Sequence, residues 1–499
     1  MLLATVVVVV AVSAGAVVAA APLIALATAA AALVVVACLA KPDVATYLAL
    51  AILYSNAAAI AVQFHGLPGW AGLSMPLILA MPLGYHLVVR RQRVTVTAAF
   101  PFVVVYLLVA IASTALAANA SSAFERLLVF LVGGFGLFFA LTNALRTIEM
   151  VRNAVWVLMA VGAVVGALSV YQFVTRDYRN DFLGFAQVDL PGAGVTQFRA
   201  SLEGIPRSEG PVGETNRYAQ VMLVLLPLGM FVARADRRRW VKVVALVPTM
   251  LILLGVVATF SRGAAVAVAA MIVVAALFRY IRLIHVAALL LAGAAALAIF
   301  PSYADRLLDL QALAALDRTS GAQATVEGDA SNLRGRVTHV LAAFYAFVDH
   351  PLLGVGPGQF GTHYQHYARA VADTAFDARI QAGEREPHNL YTGIAAELGM
   401  AGFVAFFGLI AVTMRDLLRA RRRWLTERPD VAHLATAFWI ALLGYLVSGI
   451  GLHLQYERYF WVLVALAAIT AHLALRLEPR TDGGRTAVGR ALPLPFVAR

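Results

Sequence analysis

Long apolar runs follow one another from the first residue to about residue 475, and they constrain this chain more than any other feature. A helix needs about 20 apolar residues to cross the hydrocarbon core of a bilayer. That measure predicts about fourteen spans. Seven stand near residues 2–20, 23–40, 44–62, 72–89, 99–117, 126–142 and 154–173. Four follow near 217–234, 242–259, 263–279 and 284–300, and three near 389–414, 433–451 and 459–475. The connections at Ala21-Pro22 and Ser261-Arg262-Gly263 are short enough to hide a re-entrant pair. Only 13% of the 499 residues are charged, against about 25% in soluble chains. The expected fold is an all-α polytopic integral membrane protein with a large, partly helical extracytoplasmic loop.

The first run has small residues near a possible cleavage point but no Lys or Arg before it, so it reads as a membrane helix rather than a signal peptide. A formal charge of +12 would suggest nucleic acid on a soluble chain. Here that reading fails, because the basic residues cluster in short connections between apolar runs. Arg90, Arg91 and Arg93 form one cluster, Arg146 and Arg152 another, Arg237–Arg239 with Lys242 a third, and Arg279 with Arg282 a fourth. The densest is Arg415–Trp424. Alternating spans put all of them on one side, with Lys41 and the basic tail 476–499, and the positive-inside rule makes that side cytoplasmic. Both termini are then inside a bacterial inner membrane and the working face is outside.

The expected organisation is helices over 1–173, an outer loop over 174–216, helices over 217–300, the large outer loop over 301–388, helices over 389–475 and the tail. The large loop carries ten acidic residues against seven arginines, opposite in sign to the inner connections. Val337, Val340, Leu341, Phe344 and Phe347 give it an amphipathic helix that stops at His350-Pro351. Its apolar faces predict that the loop folds down onto the membrane helices. The one cysteine, Cys38, excludes a disulfide framework or thiolate metal site.

HNLYTGIAAELGMAGF, from His388, resembles the His-Asn and Glu-Leu-Gly-x-x-Gly signature of the bacterial O-antigen ligase and polymerase superfamily. LRGRVTHVLAAFYAFVDHPLLGVGPGQF resembles its loop segment, and TFSRGA its Ser-Arg-Gly step between membrane helices. GPVGETNRYAQ is similar to its Gly…Asn-x-x-Ala helix start, with Thr215 where a proline is usual, and HLQYERYFW to its final outer motif. The five stand in the expected order over about residues 200–465. The resemblance implies transfer of a finished glycan from undecaprenyl diphosphate to an acceptor hydroxyl, with inversion and with no nucleotide sugar, cofactor or metal. The acceptor is lipid A–core for a ligase and a second lipid-linked O-antigen or exopolysaccharide repeat for a polymerase.

The residues present suit that chemistry. A departing diphosphate needs its charge stabilised, and arginine's planar fork binds phosphate oxygens while staying charged beside lipid. Arg262, at the outer end of a span, is the first candidate; its bland alternative is an interfacial anchor. Arg334, Arg336 and Arg217 are further candidates for the donor diphosphate. A neutral histidine suits removal of the acceptor's proton near pH 7, which points to His388, as base or as orienter. Asn389 is placed to cap the following helix. Glu397, inside an apolar run, needs a partner or a function, and Glu457 and Arg458 are the nearest candidates to support it.

Two distractors carry less. His363 and His366 lack a third ligand nearby, so no metal site is expected. GVGPG lacks a following Walker lysine and reads as a turn. A transporter or flippase is the rival from another class, but transporters place ionisable groups at mid-membrane in inverted repeats. Here they gather at one face and no repeat is visible.

Overall fold

A computed structural model of the chain describes residues 36–38, 40–69, 72, 74–189, 206–235, 239–282, 284, 286, 287, 291, 329–371, 386–452 and 455–478. Helices stand at eleven of the expected span positions. They are Pro42–Tyr54 with Ala57–Gln63, Ser74–Gly84 continued by the π-turn Tyr85–Val89, Phe100–Leu116, Ala120–Ala144 and Ile148–Thr175. Thr215–Leu223 with Leu225–Ala235, Arg239–Val257, Arg262–Leu277, Leu390–Trp424, Pro429–Ser448 and Arg458–Arg476 complete them. The span expected near 2–20, and nearly all of those near 23–40 and 284–300, lie outside the described residues. Among the described residues six helices are long and apolar enough to cross a membrane, or seven if the pair bent by 53° at Ser55-Asn56 is one span. The full fourteen is therefore not established. Phe100–Leu116 and Arg262–Leu277 have 17 and 16 residues, about 25 Å of helix against a core of about 30 Å.

Two expectations change in detail. The loop expected over 174–216 holds a small antiparallel sheet, Gln187–Asp189 with Arg207–Gly210, so the described residues are mostly rather than wholly helical. Strands of three and four residues with a single apolar side chain, Val188, between them are too short to announce themselves by alternation. Arg415–Trp424, expected as a connection, continues the preceding helix.

The helix ends sort into two groups. At one end Arg152 and Arg428 both reach Asp430, at 3.2 and 3.1 Å. Arg423 donates to the carbonyls of Leu475 and Leu477, and Arg421 lies 4.7 Å over the Phe278 ring. At the other end stand Arg217, Arg262, His388 and Glu457, each at or next to a helix start. Between the ends runs an aromatic core: Phe130 lies 5.1 Å from both Tyr106 and Trp461, and Phe406 stacks on Phe460 at 4.9 Å. Edge and offset contacts of this kind add to the area that the rings bury. Trp461 also donates to the carbonyl of Gln455 at 3.0 Å, which fixes the last loop from below.

The described part of the large loop comprises the helices Asp329–Asp349 and Phe360–Val371 and the turn between them. As expected, it packs on a membrane helix: Ala342, Ala346, Phe360, Tyr364 and Tyr367 form one cluster with Ala396. The face it uses is not the expected one. Val337, Leu341 and Phe344 are exposed and Val340 and Phe347 are half-buried, whereas the alanines and His339 are buried. Small side chains let the helix backbones approach closely, and the large apolar ones are left outside.

Candidate active site

The Leu390–Trp424 helix is broken at Gly399, where φ is 63° and ψ is −164°. Tyr391 and Phe407 stack face to face at 5.3 Å, with 6° between their planes. In a straight helix they would stand about 24 Å apart, so the chain doubles back at Gly399. The expected continuous span over 389–414 is instead a hairpin with a short arm, Leu390–Leu398. Breaking a helix frees backbone groups that must find partners where water is scarce.

The turn after His350-Pro351 supplies those partners. Val355 and Gly356 N–H donate to the carbonyls of Ala396 and Glu397 at 2.9 and 3.0 Å. Met400 and Ala401 N–H donate to the carbonyls of Pro351 and Leu352 at 2.8 and 3.2 Å. Ser113, on Phe100–Leu116, donates to Leu353 and Glu397 carbonyls at 2.7 and 3.1 Å. A Cβ on Gly354 would lie 2.2 Å from the Glu397 carbonyl carbon, and one on Gly399 2.3 Å from that of Leu352. GVGPG is indeed a turn, and it is the cap of the hairpin.

Glu397 therefore sits at the hairpin tip and not at mid-span. It is 4% exposed, and its carboxylate accepts from Tyr456 Oη at 2.8 Å and Gln455 Nε2 at 3.1 Å. Burial, and then the Glu397 charge, push the Tyr456 hydroxyl well above the usual phenol range, so it remains a donor across neutral pH. Of the two expected partners, Glu457 instead pairs with Arg217 at 3.2 Å, and Arg458 donates to Asn56.

His388 opens the short arm. It has φ 49°, is half-buried and stacks on His339 at 5.3 Å with 18° between the rings. Asn389 caps the arm, accepting from Tyr391 and Thr392 N–H at 2.9 and 3.0 Å and donating to the Ile450 carbonyl at 2.9 Å. Leu390 N–H donates to the Gly449 carbonyl at 2.8 Å. Asn389→Ala removes three bonds at once, and the expected loss is about 1–2 kcal/mol, read as a lower midpoint of thermal unfolding in detergent.

Arg336 reaches the same turn, since a Cβ on Gly451 would lie 3.3 Å from its Nη1. It precedes His339 by three residues, one turn of the same helix. Arg334 belongs to that helix, but its side chain lies outside the described residues. Arg217 leads into the same region through its helix, where Gln220 donates to Ser448 Oγ at 2.7 Å. Arg262 is the first residue of its helix; Ser261 caps it and donates to Asn216 Oδ1 at 2.9 Å. Arg207 Nε donates to the Thr259 carbonyl at 3.1 Å just beside it.

The structure thus joins Arg262, Arg217, Arg336, His388, Asn389 and Glu457 through neighbouring residues at one end of the bundle, with Glu397 behind them. Arg458 faces away. His339, Gln455, Tyr456 and Ser261 are neighbours that the sequence reading did not single out. The only signal for His339 was its helical spacing from Arg336. His363 Nδ1 lies 3.0 Å from the Gln359 carbonyl, and no group of three His, Cys, Asp or Glu side chains stands together among the described residues. Chemically, guanidinium groups and a helix N-terminus suit an anionic phosphate, with an imidazole alongside to take a proton.

Residues 247–407 match a family model described as O-antigen ligase. That interval contains the Ser-Arg-Gly step, the loop segment and the His-Asn to Glu-Leu-Gly signature, so the resemblance to this superfamily is borne out there. No curated protein matches the chain.

Proposed function

We propose, from the O-antigen ligase domain that residues 247–407 carry, that the chain transfers a glycan from undecaprenyl diphosphate to an acceptor hydroxyl, with lipid A–core as the acceptor. The observation that carries this reading is the stacking of His388 on His339, one helical turn from Arg336, which lies against Gly451 in the turn that also holds Asn389 and Leu390. The acceptor oxygen forms a bond to the anomeric carbon as that carbon's bond to the diphosphate oxygen breaks. The acceptor's proton passes to His388, and the electron pair leaves with the diphosphate. Attack from the face opposite the leaving group inverts the carbon. Arg262, Arg336 and Arg217, with Arg334, stabilise the departing charge. Glu457 holds Arg217 in place, and His339 backs the His388 ring. This end of the bundle is the outer face of the inner membrane, with both termini and the arginine connections inside.

Arg262→Ala is expected to lower kcat/KM for the lipid-linked donor by about 10²–10³-fold, and Arg262→Lys to restore only part of it because one ammonium cannot replace the fork. Steady-state kinetics in proteoliposomes read both values. The test of the reading itself uses purified protein with a lipid-diphosphate glycan. Release of undecaprenyl diphosphate that requires lipid A–core supports a ligase. A ladder of longer glycans without lipid A–core replaces it with a polymerase. No reaction with either acceptor overturns glycan transfer.

A further inference from the structure

The loop helix Asp329–Asp349 is amphipathic with its two faces inverted relative to expectation. Its inner face, with His339, Ala342 and Ala346, is buried against the Phe360–Val371 helix and Ala396. Its outer face is a continuous apolar stripe. Val337, Leu341, Phe344, Tyr345, Val348 and, just past the helix, Leu352 follow helical spacing and are each between 40% and 74% exposed. Six large apolar side chains in one unbroken line are not the scattered exposure usual on a surface facing water.

What adjoins the stripe identifies its partner. At its far end Leu352 meets the hairpin tip, where the Leu352 carbonyl accepts from Ala401 N–H. On either side of Ala401, Met400 and Val404 are 48% and 57% exposed on a helix long and apolar enough to cross a membrane. That exposed apolar surface belongs to a candidate membrane span, and Leu352 at the end of the stripe is bonded to its first turn after Gly399. At its near end Arg336 lies against Gly451, beyond the last turn of the span Pro429–Ser448. Both ends of the stripe are therefore fixed to the rim of the membrane bundle. An amphipathic helix so placed buries its apolar face at the boundary of headgroups and acyl chains.

We propose that the loop helix Asp329–Asp349 lies in the lipid leaflet at this end of the bundle, with Val337, Leu341, Phe344, Tyr345, Val348 and Leu352 in contact with bilayer acyl chains. The loop is then a membrane-embedded element and not an aqueous cover. Arg336 and His339, on the same helix, are held at headgroup depth as a result. The inference stands whether or not the chain transfers glycans.

The test uses the full chain in phospholipid vesicles that contain no lipid-linked glycan. Cys38→Ala provides the background, since Cys38 is the only cysteine. Single cysteines replace Phe344 and Val348 on the stripe, Val404 as the lipid reference and the exposed Ala370 as the water reference. All four positions are exposed, so a nitroxide label at each leaves the packing intact. The expected result is that labels at 344 and 348 collide with oxygen as the 404 label does and lose collision with a water-soluble nickel chelate, while the 370 label does the reverse. Nickel access at 344 and 348 equal to that at 370 overturns the proposal in favour of a solvated face. Protection from both relaxers overturns it in favour of a protein cover. Oxygen access that appears only after a lipid-linked glycan is added assigns the stripe to the isoprenoid chain instead.

Discussion

Replacing His388 by alanine is expected to leave a folded protein in which the proposed glycan transfer falls steeply. The side chain is half-buried and stacks on His339 of the loop helix, outside the aromatic core of the bundle. Its backbone is already left-handed at φ 49°, so alanine adds about 1 kcal/mol of strain at most. Loss of a general base lowers turnover by about 10²–10⁴-fold. The measurement is kcat with saturating donor and acceptor, beside the thermal midpoint of the same preparation. His388→Gln separates two roles, because glutamine keeps a polar group able to orient a hydroxyl but takes no proton. Glutamine with most of the activity makes His388 an orienter. Alanine with normal activity removes it from the site.

Gly399→Ala is expected to be the most damaging small change in the described fold. A Cβ there meets the Leu352 backbone at 2.3 Å, in a conformation that L side chains rarely adopt. Neither side can give way, because both strands of backbone are joined by hydrogen bonds on each side of the contact. Strain and lost bonds together amount to roughly 3 kcal/mol or more, enough to remove much of the folded protein from the membrane fraction. Gly354→Ala attacks the same contact from the loop side and should look alike. Gly263→Ala is the control: nothing lies within 4 Å of its Cβ, and alanine is the better helix former. Equal thermal midpoints for Gly399→Ala and Gly263→Ala would show that the hairpin cap carries no stability.

The sequence made the spans legible because a membrane asks only for enough apolar length, and Ile148–Thr175 or Pro429–Ser448 meet that demand on composition alone. It made Asn389 legible as a cap for the following helix, and His388 and Arg262 legible because an imidazole and a guanidinium stand where apolar runs begin, inside motifs that resemble a known family. The hairpin was hidden. Gly399 in an apolar run reads as a packing glycine, and only the backbone of Pro351–Gly356, over forty residues away, makes a break affordable there. Glu397 itself stood out as a carboxylate in an apolar run, but its partners were hidden for the same reason, since Gln455 and Tyr456 come from 58 and 59 residues along the chain. The loop helix misled because hydrophobicity ranks Phe344 above Ala342 and Ala346, whereas close approach between helices favours the alanines.

The four backbone hydrogen bonds between the loop turn and the hairpin tip also have a mechanical meaning. Each contributes about 1 kcal/mol, so parting the loop from the hairpin costs several at once. Arg336, His339, His388 and Glu397 all ride on these two joined pieces and behave as one rigid jaw. On the proposed function, a bulky sugar chain is not admitted by lifting the loop like a flap. Clearance has to come from elements outside this joined unit, such as the helix start that carries Arg217, which is held to the last loop by its ion pair with Glu457.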